Sequence, residues 1–111
     1  MTCVVGPGGV SGQEMIRSFR DKGSEDLFNG LDTKAARKAC PMDLWKRAQR
    51  RLSQLDYASA LKDLRLPSSN RLHALKGDRK GQHSIAVNME YRICFRWTAA
   101  GPEQVEVTDD H

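Results

Sequence analysis

No apolar run approaches the ~18 residues that a membrane-spanning helix needs. The opening MTCVVGPGGVSGQE lacks a basic start and an adequate apolar core, so it does not read as a secretory signal. Both absences lead us to expect a cytoplasmic protein. Cysteine is scarce too: Cys3, Cys40 and Cys94 are odd in number, widely spaced and without a CxxC pair. That spacing argues against a zinc ribbon or a disulfide framework, and we expect neither a metal nor a cofactor. The last fifteen residues contain no Lys or Arg.

What is present is a basic body. The chain has 111 residues, a formal net charge of +4 and 39% hydrophobic residues. The sequence pI is about 9.2. One modest globular domain is expected at this length, with no room for a separate cofactor domain. All 18 Lys and Arg fall between Met15 and Arg96, against 9 carboxylates, whereas the tail holds Glu103, Glu106, Asp109 and Asp110. Such a distribution suits a body that grips phosphates and a tail that places acid–base groups. Residues 1–14 are Gly-rich and read as a disordered extension, either a start-site artefact or a flexible arm. Residues 15–111 read as the folded domain.

Periodicity predicts an α+β fold. Met15 to Arg20 reads as a short first strand anchored by Ile16 and Phe19. Ser24 is the expected N-cap of a short helix carrying Leu27, Phe28 and Leu31, with Glu25 and Asp26 in the acidic first turn and an interruption near Gly30. Asp43 to Leu55 is the clearest helix, with Leu44, Ala48, Leu52 and Leu55 on one stripe. Lys46, Arg47, Arg50 and Arg51 make its other side either a solvated face or one that meets phosphate or a partner protein. Another helical turn or two is expected over Tyr57 to Leu64, then a loop at Leu66 to Asn70.

The period then changes. Ser84 to Asn88 alternates, Asn88-Met89-Glu90 turns, and Tyr91, Ile93, Phe95 and Trp97 alternate with Arg92, Cys94 and Arg96. Ala99 to Pro102 is a second turn, and Val105 and Val107 mark a last strand. The face with Arg92, Cys94 and Arg96 is expected to be exposed. Its arginines would lie roughly 6.6 Å apart at about 3.3 Å per residue, a spacing suited to successive phosphates.

Three pieces could carry chemistry. Arg71 to Gly81 offers His73, then Lys76, Arg79 and Lys80 around Gly77 and Gly81; its cations can bind phosphate by charge and by hydrogen-bond fork. The strand supplies Arg92 and Arg96. The ending Thr108-Asp109-Asp110-His111 supplies a histidine able to act as acid or base near neutrality, with carboxylates beside it.

Together, NRLHALKGDRKGQHSIAVNMEYRICFRW and VEVTDDH resemble the second half of HigB-like toxins of the RelE/ParE superfamily, the plasmid maintenance killer type. MIRSFRDKGSEDLF is similar to that family's start. The resemblance implies a RelE-like fold, two N-terminal helices packed on a twisted, mainly antiparallel sheet. It also implies a type II toxin acting as a ribosome-dependent endoribonuclease (an mRNA interferase) that cleaves messenger RNA without a metal. The implied partners are a HigA-like helix-turn-helix antitoxin, the ribosome and mRNA, with operator DNA reached only through the antitoxin and no membrane contact. His73, Arg92, Asp109 and His111 match the family's catalytic positions and Lys76 its lysine. Arg71, Arg79, Lys80 and Arg96 would position RNA. Asp110 stands where the family has tyrosine, which removes a base-stacking ring and adds a negative charge. His83 occupies an often aromatic position. The superfamily also contains ParE-like toxins that inhibit DNA gyrase, and a catalytically weakened antitoxin binder is a further alternative.

Overall fold

The structure is a computed structural model that describes residues 15–109. The expectations placed on residues 1–14, Asp110 and His111 lie outside the described residues. Three helices precede the sheet: α1 (Lys22–Phe28), α2 (Lys34–Ala39) and α3 (Trp45–Tyr57). Four strands follow, β1 (His73–Ala74), β2 (His83–Ala86), β3 (Tyr91–Thr98) and β4 (Gly101–Asp109). They form one antiparallel sheet in chain order. This is the α+β architecture expected, with one more short helix than the two foreseen.

The helix starts follow side-chain capping. Asp21, in an extended conformation, accepts from the Ser24 amide at 2.8 Å, so it caps α1 in place of Ser24. Ser24 sits inside the helix instead, buried, its Oγ accepting from the Val107 amide at 2.9 Å. Thr33 caps α2 through the Ala36 amide at 3.1 Å and donates its hydroxyl to Asp26 at 2.7 Å. The Lys22 ammonium lies 3.1 Å from the same carboxylate. At six residues α2 is too short to stand alone. It packs against α1 where a Cβ at Gly23 would collide with the Ala35 carbonyl.

α3 extends beyond its expected range to Tyr57, preceded by a 3₁₀ turn at Met42–Leu44. Its stripe of Ala48, Leu52 and Leu55 is fully buried against Ile85, Ile93, Phe95 and Val105 of the sheet. Residues Leu61–Arg65 and Ser68–Asn70 are further 3₁₀ turns. The Asn88 turn forms as expected: Asn88 Oδ1 accepts from the amides of Glu90 at 2.9 Å and Tyr91 at 2.7 Å.

Two strand expectations are corrected. The Met15–Arg20 segment makes only an isolated parallel bridge, Phe19 to Val105. Gln104 opposite it adopts a left-handed φ of 54°, which breaks the pleat, and its amide is taken by the Ser18 hydroxyl rather than by a backbone carbonyl. The second hairpin turn tightens to Ala99-Ala100, and β4 begins at Gly101. No helix among the described residues is long and apolar enough to cross a membrane.

Candidate functional site

Strand register decides which chemistry-bearing groups meet. On the face away from the helices, His73 pairs with Ser84, Ser84 with Cys94, and Cys94 with Glu106, a row across all four strands. Arg92 lies on the same face one row along, between Ala86 and Thr108.

Arg92 is the hub of the site and only 7% exposed. Its Nε donates to Ser84 Oγ at 2.8 Å. Its Nη2 donates to the Arg71 carbonyl at 3.2 Å and lies 2.9 Å from His73 Nδ1. A guanidinium has only donors, so Nδ1 accepts in this contact and the ring proton belongs on Nε2. The Arg71 carbonyl is also 3.4 Å from His73 Nδ1, a second partner that fits the opposite tautomer. Arg71 presents that carbonyl because its own backbone is left-handed, φ 51°, at the end of the Ser68–Asn70 turn.

The expectation of an exposed Arg92–Cys94–Arg96 face is corrected. Arg92 and Cys94 are buried and Arg96 is half-buried. The loop that follows β1 folds over this face through a 3₁₀ turn at Gly77–Arg79. Arg79 reaches from it to Gln82 at 3.2 Å and to Glu106 on β4 at 3.0 Å. Burial disfavours the Arg79 charge, but hydrogen bonding to Glu106 together with the charges of Cys94 and Glu106 holds the guanidinium above its ordinary value. Arg79 thus spends its donors inside the molecule. Arg96 covers Gly81: a Cβ there would lie 2.8 Å from the guanidinium, and the left-handed φ of 94° disfavours a side chain independently. A bulge between Cys94 and Arg96 also breaks the even spacing expected of the two strand arginines.

Lys76 and Lys80 are exposed on the covering loop, and His73 and Arg71 are exposed at the sheet edge. Asp109 is placed elsewhere. It pairs with Tyr91 on the helix side of β4, three strand spacings from β1, roughly 14 Å. The Tyr91 phenol is pushed up by burial and then by the Asp109 charge, as that proximity requires. His83 also faces the helix side. It is half-buried, and its ring lies over Phe95 with centroids 6.3 Å apart. With His73, Lys62, Arg65 and Leu72 it lines a shallow pocket at the sheet edge. Ser84, the Arg71 carbonyl and Glu106 escaped the sequence reading. Their roles come from cross-strand register, and no local pattern marks them. No group of three or more His, Cys, Asp or Glu among the described residues could hold a metal ion.

Residues 17–111 match the family described as RelE-like toxin of type II toxin-antitoxin system HigB. The chain is similar to Toxin HigB-1 of Vibrio cholerae serotype O1, 40% identical over 83 residues that cover 75% of this chain and 84% of that protein. It is likewise similar to Endoribonuclease HigB of Proteus vulgaris, 36% identical over 83 residues, 75% of this chain and 85% of the relative. With that match and the fold in agreement, the chain belongs to the HigB-like toxins of type II toxin–antitoxin systems, a RelE-like family.

Proposed function

We propose that this toxin is an endoribonuclease that cuts messenger RNA on the ribosome by metal-independent transesterification. The observation that carries the reading is the His73–Arg92 contact of 2.9 Å, a proton carrier beside a cation suited to phosphate. In the reaction a base takes the proton of a ribose 2′-OH. The oxygen attacks the adjacent phosphorus, the P–O5′ bond breaks, and an acid returns a proton to the 5′ oxygen. His73 serves one of these roles. For it to act as base through Nε2, its proton moves to Nδ1, where the Arg71 carbonyl accepts it and Arg92 turns toward the phosphate. His111 is the second carrier, with acid and base unassigned. In support, Thr108, three residues before His111 in the sequence, pairs with Arg92. Asp109 acts on the tail rather than on His73. Lys76 joins Arg92 at the phosphate, while Arg71, Lys80 and Arg96 position RNA. Arg79 holds the covering loop.

Membership in a toxin–antitoxin family implies a cognate antitoxin. We assign it to the helix-turn-helix kind, with operator DNA contacted only through it, and the toxin to the cytoplasm. The test is expression with an untagged C-terminus and mapping of messenger RNA ends in arrested cells. Cuts within reading frames that vanish in His73→Ala and His111→Ala support the reading. Arrest with intact messages and blocked gyrase supercoiling defeats it. Antitoxin binding without arrest marks a weakened homologue, with Asp110→Tyr as the repair to try.

A further inference from the structure

A basic patch beside α3 has no ion pair among the described residues. Arg47 and Arg51 are four residues apart on α3 and so share a face. Arg51 is half-buried; its Nε donates to the Ala86 carbonyl at 3.2 Å and its Nη2 to Ser69 Oγ at 3.2 Å. Both acceptors are neutral. Among the described residues no ion pair joins Arg47, Arg51 or Arg71 to a carboxylate, although Arg20, Lys22, Arg37 and Arg79 all have one. Burial lowers the Arg51 proton affinity, and the charges of Arg47 and Arg50 lower it further. An anion would relieve both effects.

We propose that the cleft of about 450 Å³ lined by Arg47, Arg51 and Arg71, with Ser69 and Asn88, holds a phosphate of the bound RNA strand next to the one at Arg92. The assignment rests on the nuclease reading. Contiguity carries it. The carbonyl of Arg71 contacts Arg92 and His73, while its side chain lines the cleft. Arg51 is tied to Ala86, the register partner of Arg92. The cleft and the His73–Arg92 pair therefore share two walls, so a strand with one phosphate at Arg92 continues into the cleft. Guanidinium forks fit phosphate oxygens, and Arg51 is pre-positioned by its two bonds.

The test uses the full chain and a short 2′-O-methyl RNA that cannot be cut, with binding followed across salt concentrations. Arg47→Gln/Arg51→Gln should weaken binding at least about tenfold. It should also make the salt slope shallower by about 0.7, the single-strand value for one phosphate. On ribosomes the same variant should raise KM and keep kcat at saturation, whereas His73→Ala should lower kcat and leave the salt slope unchanged. Arg51→Lys should restore the slope and part of the affinity. Because Arg51 also bonds the fold, Arg47→Gln alone is measured beside it, together with the thermal midpoint of each variant. Unchanged affinity and slope overturn the proposal while parental cleavage keeps the nuclease reading alive. A loss seen only on ribosomes overturns it by giving the cleft to ribosomal RNA, and a loss seen only in antitoxin binding gives it to that partner. A parental chain that cuts nothing, yet whose slope falls in the variant, defeats the nuclease reading and keeps the phosphate site.

Discussion

The α1–α2 corner and the β1–β2 edge treat charge in opposite ways. At the corner, Asp26 is 2% exposed and meets the Thr33 hydroxyl and the Lys22 ammonium. At the edge, Arg92 donates to a hydroxyl, a carbonyl and an imidazole, and Arg47, Arg51 and Arg71 line a cleft beside it with no ion pair of their own among the described residues. A fold gains by compensating a buried charge. Where it leaves several cations in one place uncompensated, an anion from outside is the natural complement. The corner reads as architecture and the edge as a binding surface.

Substitution at the two places should separate them, and the largest effect belongs to the edge. His73→Ala should lower cleavage about 10²–10⁴-fold, the usual range for a general acid or base. The unfolding midpoint should hold, because the ring is exposed. A large loss of stability there would erase the contrast. Arg92→Ala should cost both properties. It strips Ser84 and the Arg71 carbonyl of a charged donor, worth ~1.5–3 kcal/mol in a denaturant titration, and cleavage should fall with it.

At the corner the signs reverse. Thr33→Ala should cost ~1–2 kcal/mol through the lost cap and leave cleavage per folded molecule unchanged. Acid should find the same place. The Thr33 hydroxyl, and after it Lys22, hold the Asp26 carboxyl below its ordinary range against the effect of burial. A lowered folded pKa contributes stability above the unfolded value of about 3.9, and that contribution fades as pH falls through the folded value. Asp26→Asn should therefore flatten the fall in urea midpoint between neutral pH and pH ~3. An equally steep fall would assign the acid response elsewhere.

The smallest effect sharpens the boundary. Arg79→Ala should cost less than about 1 kcal/mol, since its ion pair is partly solvated. It should nevertheless loosen the covering loop and let a thiol reagent reach Cys94, which is 4% exposed. Cys40 should stay unlabelled, its thiol pushed up to about 11 by burial and then by Asp43. Labelling of Cys40 alone would mean that the helix side opens before the sheet face.

The helix of Leu52 and Leu55, the Asn88 turn and the alternation of β3 were legible because a period of 3.6 or 2 reports which face an apolar side chain takes. The family was legible through the ordered residues from Asn70 to Trp97 and the terminal triplet. α2 was hidden because KAARKA shows no apolar stripe and packs through Gly23 contacts distant in sequence. The cap of α1 was misread because Asp21 and Ser24 are both good caps, and only the demand of the Val107 amide for a partner draws Ser24 inside.

The sequence by itself determined the α+β order, the basic body with its acidic end, and the identity of the groups able to move protons or hold phosphate. Those are properties of residue type and local period. Tertiary structure alone decided that Arg92 is buried against Ser84 and His73, that Arg79 closes on Glu106, and that Asp109 lies across the sheet from His73. Each of these follows from strand register and from a loop folded over a sheet face. Register pairs residues by distance along neighbouring strands, which no local pattern encodes.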